Sequence, residues 1–270
     1  MAHPLTSVDT SIYIYDTKYH EKGLYAVHPV NTEENVARLK EFGVDLARVH
    51  VITDNTYLQR ELVLRNKATL ILGGGYTYFL SKELQYSYSV ISASVHSGLL
   101  NVWGQCSGGN ILCESISVPG KNYNRNPSEI KHLKLLPLAA DASVYPLEKD
   151  KTLGDVVNRK VISLASPGNE TFNTYWYRGS QYKYSQDFSS YDIAELSPLA
   201  YYTDLDERLK LYNKPIAAIC GTNLAGAKVI ASGNHSEISK WRQAQAEALT
   251  RAVRPDLWAL YEKRSFPFEK

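Results

Sequence analysis

Methionine is nearly absent from this chain and cysteine is scarce, one of the first and three of the second in 270 residues. Cys106, Cys113 and Cys220 form an odd set without C-x-x-C spacing, which argues against a disulfide framework and against a zinc site of that kind. Such a set suits a reducing compartment. Neither charge sign is in excess, since 30 Lys and Arg face 28 Asp and Glu for a formal net charge of +2, and there is no long basic run. The electrostatic case for a nucleic acid or an anionic membrane surface as partner is therefore missing. No stretch approaches the roughly 18 apolar residues of a membrane span. The polar segment 1–10 lacks the pattern of a secretory signal, so the expected location is the cytoplasm, with export that reads no N-terminal signal left open. Repeats, linkers and low-complexity tracts are missing as well, so residues 1–270 are expected to form a single domain. His3, His20, His28, His50, His96 and His132 are scattered without ligand spacing, and neither a metal nor another cofactor is expected.

What is present is ordinary globular material, 44% hydrophobic and 21% charged, in a chain long enough to bury about three quarters of its unfolded surface. Tyrosine is abundant at 20 residues, with clusters at Tyr76 and Tyr78, Tyr86 and Tyr88, and from Tyr175 to Tyr184. An apolar ring with a polar tip suits pocket rims, and most of these are expected half-buried on sheet edges. Ser11 to Tyr15 alternates as a strand, Thr32 to Gly43 has helical spacing with Asn31 or Thr32 as cap, and Arg48 to Ile52 is strand-like again. Strand, helix, strand is the parallel α/β signature.

The pattern continues with a fully apolar strand, Ala68 to Leu72, ending in Gly73-Gly74-Gly75, then a helix over Ser81 to Ser97 and a strand over Leu99 to Trp103. Asn110 to Ser115 is predicted as a helix, and Lys131 to Ala139 as a strand that Pro137 relegates to an edge or bends. Lys160 to Ala165 is a further strand, and Pro167 to Ser190 fits loops and short hairpin strands. Pro215 to Cys220 is predicted to run through a hairpin into Ala227 to Gly233, with a final helix from Ser239 to near Pro255. The fold class is α/β, a mostly parallel sheet with helices on both faces.

The segment Val102-Trp103-Gly104-Gln105-Cys106-Ser107-Gly108-Gly109-Asn110 breaks a strand at glycines and restarts as an apolar run. That is the sequence form of a nucleophile elbow, a sharp strand-to-helix turn whose neighbours must be small. Cys106 is the candidate nucleophile, since a cysteine at a helix N-terminus gains thiolate character. His235 and Glu237 follow the strand at Ala227 to Gly233. Residues i and i+2 of an extended segment point the same way, so the carboxylate can orient the imidazole while its other nitrogen faces the thiol. The glycines after Leu72 suit an oxyanion hole built from the N–H of Gly74 or Gly75 with that of Ser107. A phosphate loop is disfavoured because no G-K-[ST] follows.

These residues resemble the class I glutamine amidotransferase-like superfamily, which shares the elbow and the order of the triad. The nearer likeness is to the amidotransferase-like N-terminal domain of biotin-protein ligases. It is carried by Ile12 to Tyr15, Leu70 to Gly75, Gly104 to Gly109, Tyr175-Trp176-Tyr177-Arg178-Gly179, Leu199 to Tyr202 and the His235 segment, in that order. Gly73 stands where the family usually has proline, and Ser236 where it often has the proline of His-Pro-Glu. The resemblance implies a flavodoxin-like fold and a cysteine-dependent amide hydrolase or amidotransferase, with Tyr177 and Arg178 near the substrate. It implies a small-molecule or side-chain amide of glutamine type as substrate, with a partner protein compatible. An inactive regulatory or binding module of the same fold, and a protein deamidase or peptidase, are the alternatives.

Overall fold

The structure, a computed structural model, describes residues 10–21, 24–63, 67–117, 127–141, 160–176, 180–186, 188–203 and 215–232. In chain order the first half contains β1 (Ser11–Tyr15), β2 (His20–Glu21), β3 (Leu24–Tyr25), α1 (Pro29–Glu41), β4 (Val49–Ile52), α2 (Asn55–Val63), β5 (Ala68–Leu72), α3 (Thr77–Leu84) and α4 (Tyr88–His96). Then come β6 (Leu100–Gln105), α5 (Ser107–Leu112), β7 (Cys113–Ser117), β8 (Leu136–Asp141), β9 (Lys160–Ala165) and β10 (Thr171–Trp176). β11 (Gln181–Tyr184), β12 (Ile193–Tyr202), β13 (Ile216–Asn223) and β14 (Lys228–Ser232) complete the set.

Side-chain alternation builds two faces on one sheet. Tyr13 and Tyr15 of β1, Leu70 and Leu72 of β5, and Leu100 and Val102 of β6 pack with Leu58, Leu80, Ile91 and Val95 from α2, α3 and α4. Ile12, Ile14 and Ile71 point the other way, against Val36 and Leu39 of α1 and against Trp103. Apolar burial on both sides is what a parallel sheet requires, because its crossover helices lie on its faces. The five central strands run β4-β1-β5-β6-β14, all parallel. The α/β class with a mostly parallel central sheet flanked by helices on both faces is thus the observed architecture.

Beyond β14 the same sheet turns antiparallel, continuing β13-β12-β9-β10, while β11 pairs antiparallel with β13 and β8, and β8 pairs parallel with β7. This wing brings residues remote in sequence up to the parallel core. Tyr182 and Tyr202 are buried within it, 1% and 3% exposed, and Tyr15 is wholly buried. The expectation of half-buried edge tyrosines is corrected for these three: each ring fills the core rather than a rim.

Several local expectations also shift. Helix α1 starts at Pro29 with His28 as cap, ahead of the expected Asn31 or Thr32, because proline at N1 already has helical φ and lacks an N–H the helix would leave unpaired. It ends as expected at Gly43, which has φ +71°. There the Gly43 N–H donates to Lys40 O and the Val44 N–H to Leu39 O, the paired bonds of a Schellman cap.

The single helix over Ser81 to Ser97 is two, α3 and α4, joined by a 3-10 turn over Gln85–Ser87. The predicted helix Asn110 to Ser115 is half helix and half strand: α5 closes at Leu112 and Cys113 begins β7. A short apolar run has no period that separates buried helix from buried strand. Pro137 lies inside β8, which is paired on both sides rather than at an edge. The bend takes the form of a register shift, with Cys113 opposite Leu136 and Ser115 opposite Ala139. Ser197 to Tyr202 lies within β12 and precedes β13. The predicted C-terminal helix from Ser239 lies outside the described residues. Among the described residues no helix is long and apolar enough to cross a membrane.

Leu70 is fully buried at the middle of the parallel sheet. Leu70→Ala is expected to cost about 2–5 kcal/mol in urea unfolding, through a lower midpoint at unchanged m.

Candidate functional site

At the carboxyl end of β6 the chain reverses into α5 through one residue, Cys106, with φ 49° and ψ −109°. A non-glycine residue held there stores about 1–3 kcal/mol of backbone strain and persists only where its surroundings over-determine it. Here they do. The Cys106 N–H donates to Ser232 O at 2.7 Å, tying the turn to the end of β14, and its carbonyl accepts from the Asn110 N–H at 2.8 Å, closing the first turn of α5.

Glycines make the turn sterically possible. A Cβ on Gly104 would overlap the Gly108 carbonyl, and one on Gly108 would overlap the Leu72 carbonyl, so α5 lies backbone against backbone on β6 and β5. The spacing noted in the sequence, two residues either side of Cys106, corresponds to these two contacts.

The loop after β5 is the other wall. Gly73 and Gly74 are buried and Gly75 partly so. The Ser107 hydroxyl donates to Gly73 O at 3.2 Å. Gly74 O accepts twice at 2.8 Å, from the His28 N–H and from Asn31 Nδ2. In a trans peptide the C=O and the next N–H point opposite ways. The Gly75 N–H is therefore directed away from the start of α1, and the Gly74 N–H away from the Ser107 hydroxyl. Among the described residues no hydrogen bond is donated by the N–H of Gly74, Gly75 or Ser107.

A buried amide pair braces the turn from α1, with Asn35 Nδ2 donating to Gln105 Oε1 at 3.2 Å and Gln105 Nε2 to Asn35 Oδ1 at 3.0 Å. Gln105 immediately precedes Cys106. Two tyrosines close the other side. The Tyr202 hydroxyl donates to Ser180 O at 3.3 Å, and the Tyr182 hydroxyl lies over Gly109. Sequence reasoning missed Asn35, Gln105, Tyr182 and Tyr202, since nothing local distinguishes them. The tyrosine excess pointed in their direction without singling them out.

The three cysteines differ in environment. Cys106 is partly exposed, whereas Cys113 and Cys220 are buried. Burial pushes the Cys113 thiol far up; it also raises that of Cys220, against the opposing pull of Lys228. Both are held as inert thiols, leaving Cys106 as the accessible one.

The structure joins Ser107, next to Cys106, to the glycine loop through Gly73 O, with Gly74 and Gly75 following in that loop. His235, Glu237, Tyr177 and Arg178 lie outside the described residues. Of the described residues that flank them, Ser232 bonds Cys106 and Ser180 bonds Tyr202, whereas Trp176 ends β10 at the far end of the sheet order. Among the described residues no group of three or more His, Cys, Asp or Glu has metal-site geometry.

These features define an α/β protein with one accessible cysteine on a strained strand-to-helix turn at the carboxyl edge of a parallel sheet. No protein-family model matches the chain. A crystal structure of a glutamine amidotransferase is similar, with a TM-score of 0.48 and 16% identity over 78% of this chain and 90% of that one. Among curated proteins the chain matches short segments of tRNA (guanine-N(1)-)-methyltransferases. The match is 62% identical over 32 residues for Rhodopseudomonas palustris and 63% over 35 residues for Bartonella henselae. Those segments are 12% and 13% of this chain, and the chain spans only 13% and 15% of the length of those relatives. The biotin-protein ligase likeness has no counterpart among these matches.

Two outcomes are expected. Gly108→Ala should lower stability by about 1–3 kcal/mol in urea titration, because the clash is with backbone that cannot rotate away. Stability should also fall above about pH 9, as the thiol and phenols of the unfolded chain ionise while folded Cys113, Tyr182 and Tyr202, all raised by burial, keep their protons. Unfolding midpoints measured from pH 7 to 10.5 check the sign. A flat profile would mean that these groups titrate normally in the folded chain.

Proposed function

We propose that the chain is a cysteine-dependent amide hydrolase or amidotransferase whose nucleophile is Cys106. The observation that carries this reading is the strained, glycine-flanked turn that presents the one accessible thiol at the carboxyl edge of the sheet. In this reading the turn is a nucleophile elbow, where strain is offset by packing in order to expose the reacting atom.

His235 takes the Cys106 proton, and Glu237 orients the imidazole and balances its charge. The thiolate attacks an amide carbonyl. Charge developing on the oxygen is met by the N–H of Ser107 and, better directed than that of Gly74, the N–H of Gly75. The carbon–nitrogen bond then breaks as His235 returns its proton to the leaving amine. Water or a second amine attacks the remaining thioester, and Cys106 is released as the thiol. An amide of glutamine type is the substrate class that the sequence resemblance suggests, either free or as a side chain of a partner protein. Kinship with the N-terminal domain of biotin-protein ligases belongs to the same proposal. None of these steps requires a cofactor.

The test is iodoacetamide labelling of each cysteine from pH 5 to 9, read by peptide mass spectrometry, in the native chain and in His235→Ala. Cys106 should label rapidly below about pH 7, and His235→Ala should slow it about tenfold or more at pH 6. Cys113 and Cys220 should stay unlabelled until the chain unfolds. Labelling of Cys106 that is no faster than theirs, or that ignores His235, would overturn the reading in favour of a binding module.

A further inference from the structure

The Tyr182 hydroxyl is a cost that packing does not return. It is fully buried and has no hydrogen-bond partner among the described residues. A buried donor left unpaired ordinarily opposes folding, and a phenylalanine would fill the same space without it. The hydroxyl also makes a steric demand on its neighbour. A Cβ on Gly109 would stand 2.5 Å from the Tyr182 oxygen, so the glycine leaves the room that this one atom occupies.

Its place in the fold gives the group a use. Gly109 lies in the first turn of α5, directly after the turn at Cys106. The hydroxyl over Gly109 therefore lies at the base of that turn. Three facts bear on this placement. The Cβ position of Gly109 is 3.1 Å from both Gly104 O and Ser232 O, the atoms around which the turn is built. Ser232 O is the acceptor of the Cys106 N–H. Burial holds the Tyr182 phenol well above its ordinary range, and charge on Cys113, Tyr202 and Cys106 pushes it the same way. The oxygen keeps its proton wherever a thiol titrates, and it feels the charge state of Cys106.

We propose that Tyr182 is a positioning residue whose hydroxyl dipole is reserved for the charged state of the Cys106 sulfur. In the neutral thiol form the rotor has no acceptor among the described residues. When the sulfur ionises the O–H turns toward it, favouring the thiolate. This inference rests on the reading of Cys106 as nucleophile.

The same pH-resolved labelling, applied to Tyr182→Phe, tests it. The variant should fold with a urea midpoint equal to or above that of the native chain, since it removes an unpaired buried donor. Its Cys106 labelling curve should move to higher pH, with a rate at pH 6 lowered about threefold or more and an unchanged alkaline plateau. A filled cavity or a loosened helix would alter the plateau or the midpoint instead of the pH at half-maximal rate.

If Cys106 is activated in the native chain and Tyr182→Phe superposes on it, the inference is overturned while the proposed function stands. If the native Cys106 is not activated, both fall together. A variant that is destabilised or fails to fold shows the hydroxyl to be structural, which also overturns the inference.

Discussion

Backbone lying directly on backbone, where α5 crosses β6 and β5, is the contact on which the rest of this structure depends. Gly104 and Gly108 leave no space for a side chain against the Gly108 and Leu72 carbonyls. Because the segments touch without side chains between them, the residue joining them has no gradual turn available. Cys106 is driven to φ 49° and held there by bonds to Ser232 O and from the Asn110 N–H. Three parallel strands thus fix one thiol. The cost of the strain is spread over contacts that would exist in any case, since β5, β6 and β14 are already paired.

Around that point the polar groups bind backbone more often than one another. Asn31 and the His28 N–H take Gly74 O, and the Ser107 hydroxyl takes Gly73 O, so the glycine loop is oriented from two directions. Orienting a carbonyl also orients the N–H on the other side of the same peptide. The loop's N–H groups are therefore directed by the protein's own contacts, as the proposed oxyanion hole requires. The Asn35–Gln105 pair adds a brace from α1 in which each buried amide both donates to and accepts from the other.

The antiparallel wing has a different part. It extends a five-stranded parallel sheet mainly with strands β9 to β13, far from Cys106 in sequence, and it returns Tyr182 and Tyr202 to the flank of the turn. Strands β1, β5 and β9 were legible to the residue, because each is a short run with β-branched or aromatic residues, closed by polar residues or glycine, and those cues favour a strand where period alone does not decide. The turn at Cys106 was legible for a related reason, two glycines at fixed offsets from a cysteine. Helix α2 was missed although Asp54 caps it, its carboxylate accepting from the Tyr57 N–H at 2.8 Å. The length of α5 was misread because Ile111-Leu112-Cys113 is apolar throughout, and only the pairing of β7 with β8 ends the helix.

By itself the sequence determined what short-range physics controls: which segments bury one face or two, where glycine permits a sharp turn, and which cysteine stands at that turn. Tertiary structure decided what depends on partners distant in the chain. Asn35 and Gln105 are 70 residues apart, and the Ser232 hydroxyl reaches Gly104 O across 128. Whether a tyrosine lies on a rim or in the core, and whether its hydroxyl has a partner, follows from which strand is brought alongside. Local pattern carries no record of that, because the energy of such a contact exists only once both segments are in place.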